Sequence, residues 1–331
     1  MKPLAVVKQE PGRFYDGGDP GDADGVGAEP PDPTKDVVVV LDRQFIADED
    51  RKDCRDGQVD KDGTDGKDGK RREVFFLRRR IAYRDRHCGE IIVPPRYKCF
   101  PTDLTSVPTL FTWLVPRTGA HLPAALLHDG LVWNKDESKT YISTEGKEIN
   151  RVEADRIFRD GMADTGTPLV RRWLVWTAVT LATMVSGDGT SPRAIVRTYY
   201  RCIIFVTLLA IGWLGYAATA DLLDRSNRWW LTVDLPWMGE GSSFWALVTG
   251  VAGAVVIPLG LGLLWGAFWR AGWIAGIGVA VLFHVTIALL AVTGLYMIVE
   301  WVAGKLSPAR LGLLALALAV AAIILFVVGL S

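Results

Sequence analysis

The second part of the chain is a succession of long apolar runs separated by a few charged residues. A bilayer core is crossed by about 20 apolar residues of helix, and each run reaches about that length. The pattern therefore predicts an all-α domain of four transmembrane helices over residues 202–331, with three or five as the competing counts. The predicted spans are about 202–220, 244–269, 272–299 and 311–330.

Tryptophans and arginines indicate how these runs meet the membrane. Nine of the 13 tryptophans follow Cys202, and most lie near the end of a run, where indole rings favour the headgroup layer. Arg193, Arg197 and Arg201 precede the first run, and the N-terminus lacks the apolar core of a signal peptide. We therefore expect a multi-pass protein of the cell membrane with both termini and the soluble domain in the cytoplasm.

His284 is the one polar residue of note inside the third run. A neutral imidazole that hydrogen-bonds a neighbouring helix is the favoured interpretation. A role in a polar path or an ion site is the alternative, and a transporter or channel built on it is the weakest of the functional hypotheses.

Charge separates the first part of the chain from the second. Of the 37 basic and 37 acidic residues, 32 of each precede Cys202, which leaves 5 of each for the remainder. Residues 1–35 are rich in Gly, Pro and Asp and predict a disordered tail, since they offer little apolar surface to bury. Residues 36–190 then predict a soluble α+β domain, and residues 191–201 a basic linker.

Alternating and helical periodicities predict the elements of the soluble domain. Strands are expected at residues 36–45, with a short extension to 47, and at 74–83 and 90–95. The stretch DKDGTDGKDGK at 60–70 is interpreted as a flexible hairpin tip, because its glycines and acids do not fit the register of an EF-hand loop. The domain is thus predicted to hold a small sheet and about three helices.

Helices are expected at residues 124–133, 150–163 and 169–186. The third has an apolar core, WLVWTAVTLATMV, that is too short to cross a bilayer. It is interpreted as a packed helix or as one resting on the membrane.

The first two helices carry the residues that suggest chemistry. Asp155 lies on the apolar stripe of its helix, and a buried carboxylate needs a partner. His128 is the natural one, since a carboxylate that binds one ring nitrogen leaves the other free as a base. Asp129 points away from that pair and is a candidate metal ligand or a partner for the TDLTS loop, which contributes Asp103 and Ser106 as further polar site residues.

Structural roles for the same residues stay open. Asp103 and Ser106 suit the N-cap of a helix that starts near Val107, and a His128–Asp155 pair can serve to fix helix packing. Zinc binding through His121, His128 and an acid lacks a recognisable ligand spacing.

Cysteines and basic residues add little chemistry to this picture. The four cysteines show no paired spacing and are interpreted as reduced thiols. The one basic run, FLRRRIAYRDR, does not support nucleic-acid binding. The expected partners are the lipid bilayer and, as an alternative, an unknown protein.

Three motifs in order carry a resemblance to a known family. FPTDLTSVPTLF, AALLHDGLVW and EADRIFRDGM resemble the signatures of the phage- and bacteria-associated domain of unknown function 1353, over about residues 37–188. Two departures are the sequence IIVPPRYKCFPTD, which replaces a compact turn, and Val132, which stands where the family has tyrosine. Four membrane helices are an addition to that domain.

The His-Asp motif is also similar to that of phospholipase A-two enzymes. That resemblance implies His128 as the water-activating base, Asp129 as a calcium ligand and Asp155 as the residue that orients the histidine. Val132 replaces the supporting tyrosine, and the glycine-rich calcium loop and the disulfides of those enzymes are missing. The resulting hypothesis is a metal-assisted, lipolytic hydrolase, with calcium favoured over zinc. The alternative is a non-enzymatic, phage-related membrane protein that binds, senses or supports a partner.

Overall fold

The computed structural model describes most of the chain, in several stretches. These are residues 12–21, 27–47, 71–98, 101–102, 104, 118–133, 140–222, 235–237 and 244–305. The predicted hairpin tip at 60–70 and the predicted fourth span at 311–330 lie outside the described residues. The chain divides into two compact units, residues 1–280 and 281–331, and the described part of the second is the helical stretch 281–305.

Seven strands form a five-stranded antiparallel sheet and a separate hairpin within the described residues. The sheet has the order β2-β1-β5-β6-β7, and β3 pairs with β4 in the hairpin. The strands are β1 (Phe14–Asp16), β2 (Asp32–Asp36), β3 (Leu41–Ala47), β4 (Arg71–Leu77), β5 (Ile81–Arg84), β6 (Glu90–Val93) and β7 (Ile142–Ser143).

The prediction of a disordered tail over residues 1–35 is wrong for the stretches that form β1 and β2. Strand β1 lies inside the sheet, between β2 and β5, and Phe14 and Tyr15 are buried. Beside it, Gly17 donates to the carbonyl of Arg80 at 3.0 Å, and a Cβ at Gly17 would lie 2.6 Å from the Cβ of Arg80. The glycines that suggested disorder therefore permit a close backbone approach, and two aromatic residues supply the apolar surface.

The predicted strand over residues 74–83 is two strands in different sheets. Its bend at residues 78–80 is held by arginines, since Arg79 Nη2 lies 2.5 Å from Asp16 Oδ2 and Arg80 Nη2 donates to Asp19 O at 2.8 Å. The strand predicted from residue 36 begins instead at Leu41, because Asp36 closes β2. The prediction at 90–95 is confirmed as β6.

The three predicted helices of the soluble domain are confirmed as α1 (Leu122–Val132), α2 (Arg151–Asp164) and α3 (Leu169–Ser186). Asn150 caps α2 by accepting from the backbone N–H of Glu153 at 2.9 Å. Helices α1 and α2 and the sheet enclose one apolar core, whose members include Ile81, Ile91, Leu127 and Ile157. Residues 14–186 are therefore α+β, as predicted.

Three apolar helices follow: α4 (Ala194–Leu222), α5 (Phe244–Gly262) and α6 (Trp269–Lys305). A 3-10 segment, Leu263–Phe268, separates α5 from α6, and within it Gly266 adopts φ 57° and ψ −119°. Because a Cβ at Gly262 would meet Trp273 and one at Gly276 would meet Pro258, the two helices run antiparallel as a hairpin over these residues. The predicted spans 244–269 and 272–299 place the break between them at Arg270, whereas the structure has it four residues earlier, at Gly266.

Two segments of the described residues are long and apolar enough to cross a membrane. They are Ala194–Asp221, with a mean hydropathy of 2.0, and Leu247–Leu282, with 2.2. The second contains the turn at Gly266, so it is a hairpin rather than a single straight helix. The finding rests on length and composition alone, and the predicted count of four spans is not confirmed.

Candidate functional site

The two helices of the soluble domain bring one histidine and one carboxylate into contact. His128 Nε2 lies 2.8 Å from Asp155 Oδ1. The side chains lie in the interior, since His128 is 7% and Asp155 2% exposed. The predicted pairing of these residues is therefore present.

Close packing of α1 against α2 sets this geometry. Gly161 stands opposite Ala124, and a Cβ at Gly161 would lie 3.3 Å from the Cβ of Ala124. His128 follows Ala124 by about 6 Å of helix rise and Asp155 precedes Gly161 by about 9 Å, so antiparallel helices bring the two residues to within about 3 Å of the same level. Phe158 then stacks on the imidazole, with ring centroids 4.8 Å apart and planes inclined by 26°.

One oxygen of the Asp155 carboxylate has no hydrogen-bond partner within the part of the chain that the structure describes. Oδ1 meets the imidazole, whereas Oδ2 is buried and unpaired. A buried polar atom without a partner costs about 1–3 kcal/mol. A pair that served packing alone would be expected to satisfy both oxygens, so the unpaired atom calls for another explanation.

Asp129, the next residue of α1, faces a different neighbour. Thr102 donates its hydroxyl hydrogen to Asp129 Oδ2 at 2.6 Å and accepts from the backbone N–H of Leu104 at 2.9 Å. This is the second of the two roles that the sequence suggested for Asp129, contact with the TDLTS segment. The bond ties that segment to α1.

An ion-pair cluster that sequence reasoning missed holds the outer face of α2. Arg156 donates to both oxygens of buried Asp85, at 3.2 and 2.9 Å, and to Glu153 at 2.9 Å. Burial by itself raises the pKa of Asp85, but the bonds from Arg156 and from the backbone N–H groups of His87 and Cys88 outweigh it and lower the pKa to about 2. The pKa of the Cys88 thiol is raised to about 11, first by burial and then by Glu153.

A second cluster fixes the C-terminal end of α2. Asp164 accepts from the hydroxyl of Tyr83 at 2.8 Å and from both terminal nitrogens of Arg86, at 2.9 and 2.7 Å. Burial and the neighbouring Asp164 carboxylate raise the pKa of Tyr83. Together the two clusters bind the middle and the C-terminal end of α2 to β5 and to the turn that follows it, and Asp155 directly precedes Arg156.

Not every predicted site residue can be placed. Asp103 and Ser106 lie outside the described residues, and the side chain of His284 does as well. His121 is buried at the N-terminus of α1, seven residues before His128. Among the described residues, no three His, Cys, Asp or Glu side chains gather into a group suited to a metal ion. The role of Asp129 as a calcium ligand therefore stays a prediction.

Comparison with known proteins supports the family resemblance for part of the chain. Residues 75–179 match the model of the family described as "Protein of unknown function (DUF1353)". The match runs from β4 into α3 and includes the His128–Asp155 pair. No curated protein and no solved structure matches the chain.

The geometry suits proton transfer. A carboxylate that accepts from Nε2–H fixes the tautomer in which Nδ1 carries the lone pair. Phe158 restrains the ring by stacking, and the Arg156 and Asp164 clusters hold α2, which carries the carboxylate, in place. An imidazole arranged in this way can take a proton from water and be stabilised as the cation by Asp155.

Proposed function

We propose that the soluble domain is a hydrolase anchored to the membrane by the apolar helices, with His128 as general base and Asp155 as the residue that positions it. The observation that carries the proposal is the buried contact of 2.8 Å between His128 Nε2 and Asp155 Oδ1.

In the proposed reaction, His128 Nδ1 removes a proton from a water molecule as that water attacks an acyl ester. Asp155 keeps the ring in the required tautomer and stabilises the imidazolium. The proton then passes to the leaving alcohol, which restores the neutral imidazole. Base catalysis of this kind contributes about 10²–10⁴-fold to a rate.

The proposed substrate is a phospholipid of the membrane that holds the protein. Two apolar segments long enough to cross a bilayer follow the domain directly, so the site is proposed to work beside lipid on the cytoplasmic side. The resemblance of the His-Asp motif to phospholipase A-two enzymes points to the same substrate class. The experiment below is done with and without calcium, because Asp129 is the predicted calcium ligand.

A non-enzymatic binding or structural role is the second candidate. The depth of the pair favours it, since His128 is only 7% exposed and a water molecule must reach the imidazole. The bond from Thr102 to Asp129 also suits a domain whose polar residues connect its segments.

The test is fatty-acid release by the full chain in phospholipid vesicles, with calcium or with a chelator, compared with His128→Ala. Release that is lost in the variant supports the proposal, and its dependence on calcium decides whether an ion takes part. No release by folded wild-type protein under either condition would contradict it and favour the binding or structural role.

A further inference from the structure

Helix α3 exposes several apolar residues, although its buried side, which includes Val175 and Met184, also holds three threonines. Thr177, Thr180 and Thr183 are buried at three-residue spacing. The opposite side of the helix is open and consists of residues at i, i+4 spacing and their neighbours. This apolar stripe comprises Val170, Leu174, Ala178, Ala182 and Val185, which are exposed or half-buried.

A helix at a water interface places its apolar side on the core and polar residues outward, whereas α3 leaves a second apolar side open. The buried side of α3 packs on α2, which fixes the apolar stripe outward. Leu169 and Val170, at its first turn, are 61% and 70% exposed. An open apolar stripe along a helix of 18 residues marks a contact surface.

The end of α3 is tied to the beginning of the first candidate membrane segment. Arg201 donates to the carbonyl oxygens of Val185 and Ser186 at 2.7 and 2.9 Å. Arg201 directly precedes the apolar run that starts at Cys202. The C-terminal end of α3 is therefore held at the level where α4 becomes apolar.

The hairpin of α5 and α6 meets α4 at this same level. Trp265, in the 3-10 turn, is buried and donates to Thr207 Oγ1 at 3.1 Å. Met184 of α3, Ile204 of α4 and Phe268 of the turn complete one apolar cluster with it. The tryptophans and the arginine around the turn are of the kind that favours a headgroup layer.

We infer that α3 lies in the surface of the lipid bilayer, with its apolar stripe at the boundary between headgroups and acyl chains. Helix α4 also exposes apolar residues, since Ile195 and Phe205 are 78% and 66% exposed. Arg171 and Arg172, at the first turn, suit anionic headgroups. Lipid is thus the partner that accounts for the apolar stripe, for the two arginines and for the bonds from Arg201 to the end of α3. The contact holds whether or not His128 acts on a substrate.

The test measures what surrounds single positions of the full chain. In a background with the four cysteines replaced, a nitroxide is attached at Val170→Cys, Ala178→Cys or Val185→Cys. The protein is reconstituted in vesicles of phosphatidylcholine with a minor fraction of phosphatidylglycerol. Collision with oxygen, which enriches in lipid, is compared with collision with a water-soluble nickel complex. Glu148→Cys, exposed in the loop before α2, is the water reference, and Phe205→Cys is the lipid reference.

The inference predicts an oxygen-to-nickel ratio at all three positions several-fold above that of Glu148→Cys and close to that of Phe205→Cys. A water-like ratio at Ala178 and Val170 would overturn it. So would shielding from both reagents, which would mean that a second copy or another protein segment covers the stripe. If the cysteine-free background fails to fold, a photoreactive benzophenone residue at the same positions of the natural chain gives the same decision, since lipid adducts support the inference and their absence opposes it.

Discussion

Thr102 and Asp129 are joined by a hydroxyl-to-carboxylate hydrogen bond of 2.6 Å. Because the same hydroxyl accepts from the backbone N–H of Leu104, one side chain connects the TDLTS segment to the helix that carries His128. The hydroxyl of Thr102 therefore links Leu104 to α1.

Thr102→Val keeps the shape of the side chain but removes both bonds. It is expected to lower the free energy of unfolding by about 1–3 kcal/mol, because Thr102 is buried and two groups lose their partner. Thr102→Ser retains the hydroxyl and is expected to lie closer to wild type. Thermal unfolding in detergent checks the order, and equal stability of Val and wild type would show that the bond contributes nothing.

Acid is expected to weaken the domain through Asp85. The pKa of Asp85 in the folded protein, about 2, lies below its ordinary value of 3.8. The ionised group therefore stabilises the fold above about pH 4, and this contribution, about 2 kcal/mol, is lost as the pH falls toward 2. Asp85→Asn should be less stable than wild type at pH 6 and show a shallower loss between pH 4 and pH 2. Unfolding curves of both proteins at several pH values check this. If Asp85 were not responsible for the acid sensitivity, both proteins would lose the same stability between pH 4 and pH 2.

Gly17→Ala tests the position of the N-terminal segment. The added Cβ would lie 2.6 Å from Arg80 Cβ and 2.7 Å from its backbone, so β1 must move or detach. We expect a clear drop in melting temperature, whereas Lys35→Gln, an exposed change in the same segment, should be nearly neutral. If residues 1–35 formed a disordered tail, both variants would melt like wild type.

Two substitutions of Asp155 measure how much its contact with His128 contributes to stability. Asp155→Ala strands the buried imidazole nitrogen and should cost about 1–3 kcal/mol. Asp155→Asn keeps a carbonyl oxygen for Nε2–H and should cost less. Unfolding midpoints of the two variants give the comparison, and the account fails on this point if Asn is as damaging as Ala.

The sequence predicted the helices better than the strands, for physical reasons. The periodicity of α2 and the cap at Asn150 are local signals, and the pairing of His128 with Asp155 follows from one buried carboxylate that needs a partner. Strand β1 has three residues and depends on strands far along the chain, while its glycines resemble those of a disordered tail. The clamp of Arg156 on Asp85 joins positions 71 residues apart, and the turn at Gly266 depends on a positive φ inside an apolar run.

The most direct test of the central claim, that His128 and Asp155 act on a substrate, is the turnover of Asp155→Asn on phospholipid vesicles. Asp36→Asn, the same chemical change at an exposed position of β2, is its control. The account predicts that kcat falls about 100-fold or more in Asp155→Asn with KM little changed, and that the control matches wild type. Wild-type turnover by a folded Asp155→Asn protein would contradict the claim and leave the pair as a packing contact between α1 and α2.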